Sequence, residues 1–336
     1  MKAIQFLGMT AFMAAMLTGC SNDSELAHSN FPDDNIIRVT AGVNGAVTRA
    51  ETLGTELNNK FSLTVVNKDT ENEYNYKYTH ENKIFQKIGT GTEWICNDIL
   101  LWQDAETPVD VAALAPVTNK DWIFQGILGN QNQFQTLEYE ITADQKTQKP
   151  ENDLLYYYKS NLVPKEALNS DGKLDIQFNH AFSMIDIIVT LGTEYSNKDN
   201  PINEVIVGGS KLKATIDVTN SEGVAYPSTM GENPETDITT IPVKFNKATT
   251  DQENSTAVSS CILIPQTIGA NKFKVTLKTT SKTYVWTSPD AITLQTGHKY
   301  TLELKMGKDK LTAQKSNISA GSWTGGTAPG STLGTK

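Results

Sequence analysis

The sequence predicts an all-β protein made of two tandem antiparallel β-sandwiches, and three observations carry that expectation. Apolar residues recur with a period of two along most of the chain, as they do where alternate side chains face a core. The runs are short and bounded by Asn, Asp, Gly or Pro, and no long stretch of helical period competes with them. The 336 residues leave room for roughly two domains, each with a sizeable core. The first series of strands begins with Ile37, Val39, Ala41 and Val43, followed by Phe61, Leu63 and Val65, then Tyr74, Tyr76 and Tyr78. It continues through Val109, Val111 and Ala113, through Leu137, Tyr139 and Ile141, and through Leu154 to Tyr158. The second series comprises Leu174, Ile176 and Phe178; Ile185 to Val189; Val205 to Val207; Ala214, Ile216 and Val218; and Ile241, Val243 and Phe245. Ile262 to Ile264, then Phe273, Val275 and Leu277, then Tyr300, Leu302 and Leu304 complete it. Without helices to cover a sheet, another sheet must do so, hence sandwiches. The polar, turn-rich stretch from Asn161 to Gly172 separates the two series, so the expected domains are 36–165 and 166–323, followed by a Gly-rich tail at 324–336.

The chain opens with a leader. Met1 and Lys2 precede the uncharged apolar run Ile4 to Leu17, long enough for the hydrophobic core of an export signal and short for a bilayer span. It ends Leu17-Thr18-Gly19-Cys20, which resembles the bacterial lipobox, so residues 1–19 are expected to be removed and Cys20 to become a lipidated N-terminus. Each buried lipid methylene contributes roughly 0.8 kcal/mol, enough for several acyl chains to hold a protein on a membrane leaflet. The polar, acidic stretch 20–35 reads as a flexible tether, and its Asp23 and Glu25 resemble the acidic patch that in Bacteroidales lipoproteins goes with outer-face display, which implies an outer-membrane location facing the cell surface.

Charge and motif content narrow the function. With 29 Lys plus Arg against 38 Asp plus Glu, the net charge is −9, a poor balance for gripping nucleic acid or anionic headgroups. The sequence contains no HExxH, no phosphate-binding Gly-rich loop, no GxSxG and no CxxC, so no catalytic residue, metal ligand or cofactor is assigned. His28, His80, His180 and His298 stand singly, a pattern more typical of structural residues than of ligands. Asn169-Ser170-Asp171-Gly172 lacks the acidic spacing of a calcium loop and reads as a turn before a strand. Cys96 and Cys261 fall in different expected domains and read as buried free thiols. The five tryptophans, Trp94, Trp102, Trp122, Trp286 and Trp323, fit either core packing or a sugar-stacking platform, and composition does not separate the two.

The order of segments resembles the Bacteroidales fimbrillin family, the subunits of protease-processed type V pili. The matching pieces are Ile37-Arg38-Val39-Thr40-Ala41, Val47-Thr48-Arg49-Ala50, and Phe61-Ser62-Leu63-Thr64-Val65. Farther along come Leu174 to Ser183 with its embedded Phe178-Asn179-His180, Ile264-Pro265-Gln266-Thr267, Leu294 to Tyr300, and Ile318 to Trp323. The resemblance implies two transthyretin-like sandwiches and a non-catalytic role as a structural, tip or anchor subunit in adhesion. It implies that an Arg-specific protease cuts between Arg49 and Ala50, that the strand Ile36 to Val43 (core residues Ile37, Val39, Ala41 and Val43) leaves, and that other pilus subunits fill the groove by donor-strand exchange. The tail from Gly321 lacks apolar alternation, so either Leu311 to Ile318 is the donated stretch, or the chain caps a filament, or it never polymerises. A surface glycan-binding lipoprotein is the reading from a different class, and it needs exposed Trp or Tyr side chains lying in one plane.

Overall fold

The computed structural model describes residues 30–44, 60–67, 78–87, 93–117, 134, 136–147, 152–192, 195, 201–240, 256–315 and 318–323. In chain order the first strands are β1 (Val39–Val43), β2 (Lys60–Asn67), β3 (His80–Lys87), β4 (Trp94–Cys96), β5 (Val109–Ala115), β6 (Leu137–Glu140) and β7 (Leu155–Leu162). A one-turn helix, α1 (Pro164–Ala167), precedes β8 (Leu174–His180), β9 (Ser183–Leu191), β10 (Ile202–Ser210), β11 (Lys213–Ile216), β12 (Ala225–Pro227) and β13 (Thr236–Thr239). The rest are β14 (Thr256–Leu263), β15 (Thr267–Ile268), β16 (Lys274–Thr279), β17 (Thr283–Thr287), β18 (Ile292–Thr293), β19 (His298–Met306), β20 (Leu311–Ala313) and β21 (Ser319–Ser322).

One sheet has seven strands in the order β1-β8-β7-β5-β2-β3-β4. Its central strands β2 and β5 are buried on both faces, which is why their sequences KFSLTVVN and VDVAALA carry few charges. Phe61, Leu63, Val65, Val111 and Ala113 point into one apolar cluster, while Val66, Ala112 and Leu114 point the other way into a second, larger one. β8 shows the alternation of a strand with one covered face: Leu174, Ile176, Phe178 and His180 are buried, Asp175 and Asn179 exposed. The larger cluster is enclosed by β13-β10-β16-β17, by β12-β11-β6, and by β14-β9-β19-β20 with β21 also on β19.

The architecture is all-β and multi-sheeted, as expected, with two differences of detail. Two pairings are parallel rather than antiparallel, β1 with β8 and β9 with β19. Sheet membership also crosses the division expected between 165 and 166: β8 joins the first sheet through β7 and β1, and β6 pairs with β11. Burial is the reason, since the apolar face of each strand goes wherever a sheet edge can cover it, whatever the chain order. The strands expected at Tyr74 to Tyr78 and at Ile241 to Phe245 lie wholly or mostly outside the described residues.

Candidate functional site

The N-terminal strand sits in a slot that the rest of the chain builds. Ile37, Val39, Ala41 and Val43, four residues singled out from the alternation, are brought together on one side of residues 37–43. Ile37 and Val39 are buried in the first apolar cluster, and Ala41 and Val43 are packed against it. β1 pairs in parallel with β8, Val39 opposite Leu174, Ala41 opposite Ile176 and Val43 opposite Phe178. The floor of the slot is aromatic: Phe61 lies 5.4 Å from Phe178 and from Phe85 and 4.8 Å from Trp94, ring centre to ring centre.

The outward face of the pair carries a polar ladder. Thr40 Oγ1 donates to Asp175 Oδ1 at 2.8 Å, and Asn44 Nδ2 donates to Asn179 Oδ1 at 2.8 Å. Between them Gln177 Nε2 donates to Asp175 Oδ1 at 2.9 Å, and its amide lies across Gly42. A Cβ at Gly42 would stand 3.1 Å from Gln177 Oε1, so the glycine makes room for that amide.

Residues ahead of β1 anchor it. The Ile37 amide donates to Leu100 O and the Trp102 amide to Asn35 O, both at 2.8 Å, and Leu174 N donates to Arg38 O at 2.8 Å. Arg38 grips Asp34 with both guanidinium nitrogens, 2.9 and 2.6 Å, and this holds the Asp34 carboxyl down to about 2. Gly172, at φ +69°, turns the chain into β8, and a Cβ there would come within 2.9 Å of Asn30 O. The segment Asn169 to Gly172 is thus a turn, with Asn169 Oδ1 accepting from the Asp171 and Lys173 amides at 3.0 Å.

The opposite end of the chain has its own edge. β20 and β21 both pair antiparallel with β19, Leu304 opposite Ala313 and Tyr300 opposite Ala320. The β19–β20 turn is pinned by Tyr284, whose hydroxyl donates to Lys308 O at 2.8 Å and lies 2.8 Å from the Tyr195 hydroxyl. Trp323 stacks flat on His180, ring centres 3.8 Å apart, and His180 Nδ1 is 3.0 Å from Asp153 Oδ1 in a buried pair. His180, which stands singly in the sequence, thus has a buried carboxylate partner 27 positions earlier. The alternation of Leu154 to Tyr158 gives no hint of Asp153, and only the sheet brings the two together.

The remaining residues of interest separate. Trp94 and Trp102 are buried and Trp286 packs edge-on against Phe273, so these three do not form an exposed plane. His80 is buried with Nε2 2.9 Å from Leu101 O, and burial pushes its pKa below the ordinary value. Cys96 and Cys261 are both free, on β4 and β14, and burial pushes the Cys261 thiol up. Among the described residues no three His, Cys, Asp or Glu side chains converge as metal ligands, and no helix is long and apolar enough to cross a membrane. Cys20, His28, Arg49, Ala50, Trp122 and the tail 324–336 lie outside the described residues.

The fold and the slot together define an all-β protein whose N-terminal strand docks along one sheet edge of its own body. A family described as Fimbrillin-like matches residues 48–323, most of the chain, and the chain belongs to that family. No curated protein matches the sequence. Among solved structures, a candidate cell adhesion protein from Bacteroides ovatus is 20% identical with a TM-score of 0.57, covering 84% of this chain and 96% of that one. The tip fimbrial protein Mfa3 from Porphyromonas gingivalis, with C-terminal truncation, is 10% identical with a TM-score of 0.52 over 85% of this chain and 99% of that one. A fimbrial protein from Bacteroides vulgatus is 15% identical with a TM-score of 0.53 over 86% and 99%. At these identities the likeness is one of fold.

Proposed function

We propose that this chain is a non-catalytic subunit, structural or accessory (tip or anchor), of a type V pilus at the cell surface, with a role in adhesion. In this reading the precursor is lipidated on Cys20 and held on the outer membrane. An Arg-specific protease cuts between Arg49 and Ala50, β1 leaves, and a strand from another subunit enters the slot. The observation that carries the reading is the position of β1: an edge strand, paired along its length with β8 alone among the described strands, with buried Ile37 and Val39. Burying each of those side chains is worth about 1.5–3 kcal/mol, so an emptied slot is a strong acceptor for another strand with the same pattern. A contact of this kind runs head to tail and does not close, so it builds a filament. The burial of Trp94, Trp102 and Trp323 argues against a glycan platform built from those tryptophans.

The test is the N-terminus and intact mass of the protein recovered from the surface of its native cells. A start at Ala50 without lipid is expected. An acylated start at Cys20 in all of the surface protein would overturn processing and leave a permanently tethered lipoprotein.

A further inference from the structure

Two of the sheets around the larger apolar cluster join into one layer. The chain runs on from β6 through residues 141–145, where the Thr239 amide donates to Ala143 O and the Gln145 amide to Thr239 O, both at 2.8 Å. In this way β12-β11-β6 continues into β13-β10-β16-β17. Tyr139, Ala214 and Ile216 in the first part, and Val207, Val275 and Leu277 in the second, face the core. The other side of the layer carries two cross-strand rows. One holds Glu138, Thr215 and Tyr226, and the other Thr239, Ile206, Thr276 and Val285. Tyr226 is 37% exposed, Val285 54% and Met230, in the turn after β12, 67%, so large apolar side chains stand open on both parts.

The two halves carry opposite charge. Beside Tyr226 stand Glu138, exposed Glu140 and Asp217, and Lys213, opposite Glu140, gives its ammonium to Glu232 O at 3.0 Å instead. Flanking the Val285 row are Lys274 and Lys278, both exposed, with Lys272 just ahead of β16. Glu204 on this half is already held by Lys278 at 2.8 Å and Lys146 at 3.3 Å, and Asp237 lies over Gly208 toward the seam. Among the described residues, Glu138, Glu140, Lys272 and Lys274 have no ion-pair partner on their own chain.

We propose that this layer is a self-complementary docking face for a second copy of the chain, paired about a two-fold axis near β13. Each copy's half around Tyr226 then lies on the other's half around Val285. The charge pattern selects this occupant: like halves repel, and a two-fold turn sets both halves of each copy on opposite charge at once. Tyr226 and Met230 meet Val285 and Ile206, and Glu138 and Glu140 meet Lys274 and Lys272. Strands about 4.8 Å apart and about five residues long make this layer about 29 by 17 Å, or about 500 Å² per copy, the low end of specific interfaces. Such a contact suits copies already held close together on one surface. It is separate from the slot, because β1 lies in the seven-stranded sheet, and it forms whether β1 stays or leaves.

Carbodiimide, which joins a carboxylate directly to a lysine amine, tests the contact on cells displaying the full-length chain. A covalent dimer is expected on a denaturing gel, with Glu138 or Glu140 joined to Lys272 or Lys274. Glu138→Lys with Glu140→Lys should lower its yield about tenfold, and adding Lys272→Glu with Lys274→Glu should restore it to within about twofold. Tyr226→Ala, which leaves the charge alone, should lower it about fivefold. A dimer yield unchanged by the reversal, or by Tyr226→Ala, would overturn the docking face. A yield lost on reversal and not restored by the swap would overturn the second copy as occupant and leave the acidic half to another cationic protein. A ladder built through the same links, in place of a dimer, would overturn the two-fold pairing.

Discussion

The two terminal edge strands are held differently. β1 is secured at both ends: Asn35, Ile37 and Arg38 bond to Trp102, Leu100 and Leu174 ahead of it, and past its last residue Asn44 bonds through its amide to Phe178 O at 2.7 Å and through its side chain to Asn179. β21 is secured at its end, where Trp323 lies on His180 and its amide donates to Gly297 O at 2.8 Å. A cut after β1 would therefore leave β1 joined to the body by noncovalent contacts alone, because its only covalent link to the body runs through Arg49. Release of β21 would leave it tethered through β20. The two ends therefore differ in how far the loss of their noncovalent contacts would free them.

The largest effect should come from the floor beneath β1. Phe178→Ala removes a fully buried ring that touches Phe61 and lies opposite Val43, and is expected to cost about 3–5 kcal/mol in denaturant unfolding. If the two ends are independent edges, that loss should appear in the first sheet, with the hydrogen exchange of β20 and β21 little changed. Equal acceleration of both would show that the ends are one cooperative unit and that the comparison fails. Trp323→Ala probes the other end. It strips the ring from His180 and should cost about 3 kcal/mol, read as faster exchange in β21 while β1 keeps its protection.

Much of this arrangement was legible in the sequence, for an identifiable reason. β1, β8 and β19 each repeat an apolar residue every second position, as half-buried strands do however they are paired, and β2 and β5 keep the same repeat although both of their faces are covered. β3 escaped because HENKIFQK buries only His80 and Phe85, and β21 escaped because SAGS carries a single buried Ala. Pairing was invisible for a different cause: Val39 meets Leu174 in parallel across 135 positions, and no local pattern encodes a partner at that distance. The slot was half legible. Its apolar strand, Ile37 to Val43, is evident from alternation, whereas the Asp175–Gln177 ladder that explains Gly42 forms only where the two strands meet. The cut at Arg49 was implied by the family resemblance and lipidation of Cys20 by the lipobox, and both residues lie outside the described ones.

The smallest expected effect is one of pH, and it distinguishes the anchor of β1 from the sheet behind it. His80 sits behind that anchor, with Nε2 against Leu101, the residue bridged to Ile36. Burial lowers its pKa below about 6.5, and Lys83 nearby lowers it while Asp98 opposes. As pH falls, the unfolded chain takes up this proton before the folded one does. The contribution of His80 is therefore complete above about pH 6.5 and is lost as pH falls toward the depressed folded value. Asp34 behaves differently: its carboxyl, held at about 2 by Arg38, keeps its contribution above the ordinary value of 3.8 and loses it only as pH falls through about 2. Between these windows the sheet behind β1 weakens while the Asp34–Arg38 clasp persists. Urea midpoints from pH 7.5 to 4.5 should fall for the native chain and fall less for His80→Gln, whereas Asp34→Asn should leave the slope over that range unchanged. Equal slopes for the native chain and His80→Gln would show that the proton taken up on unfolding belongs to another group.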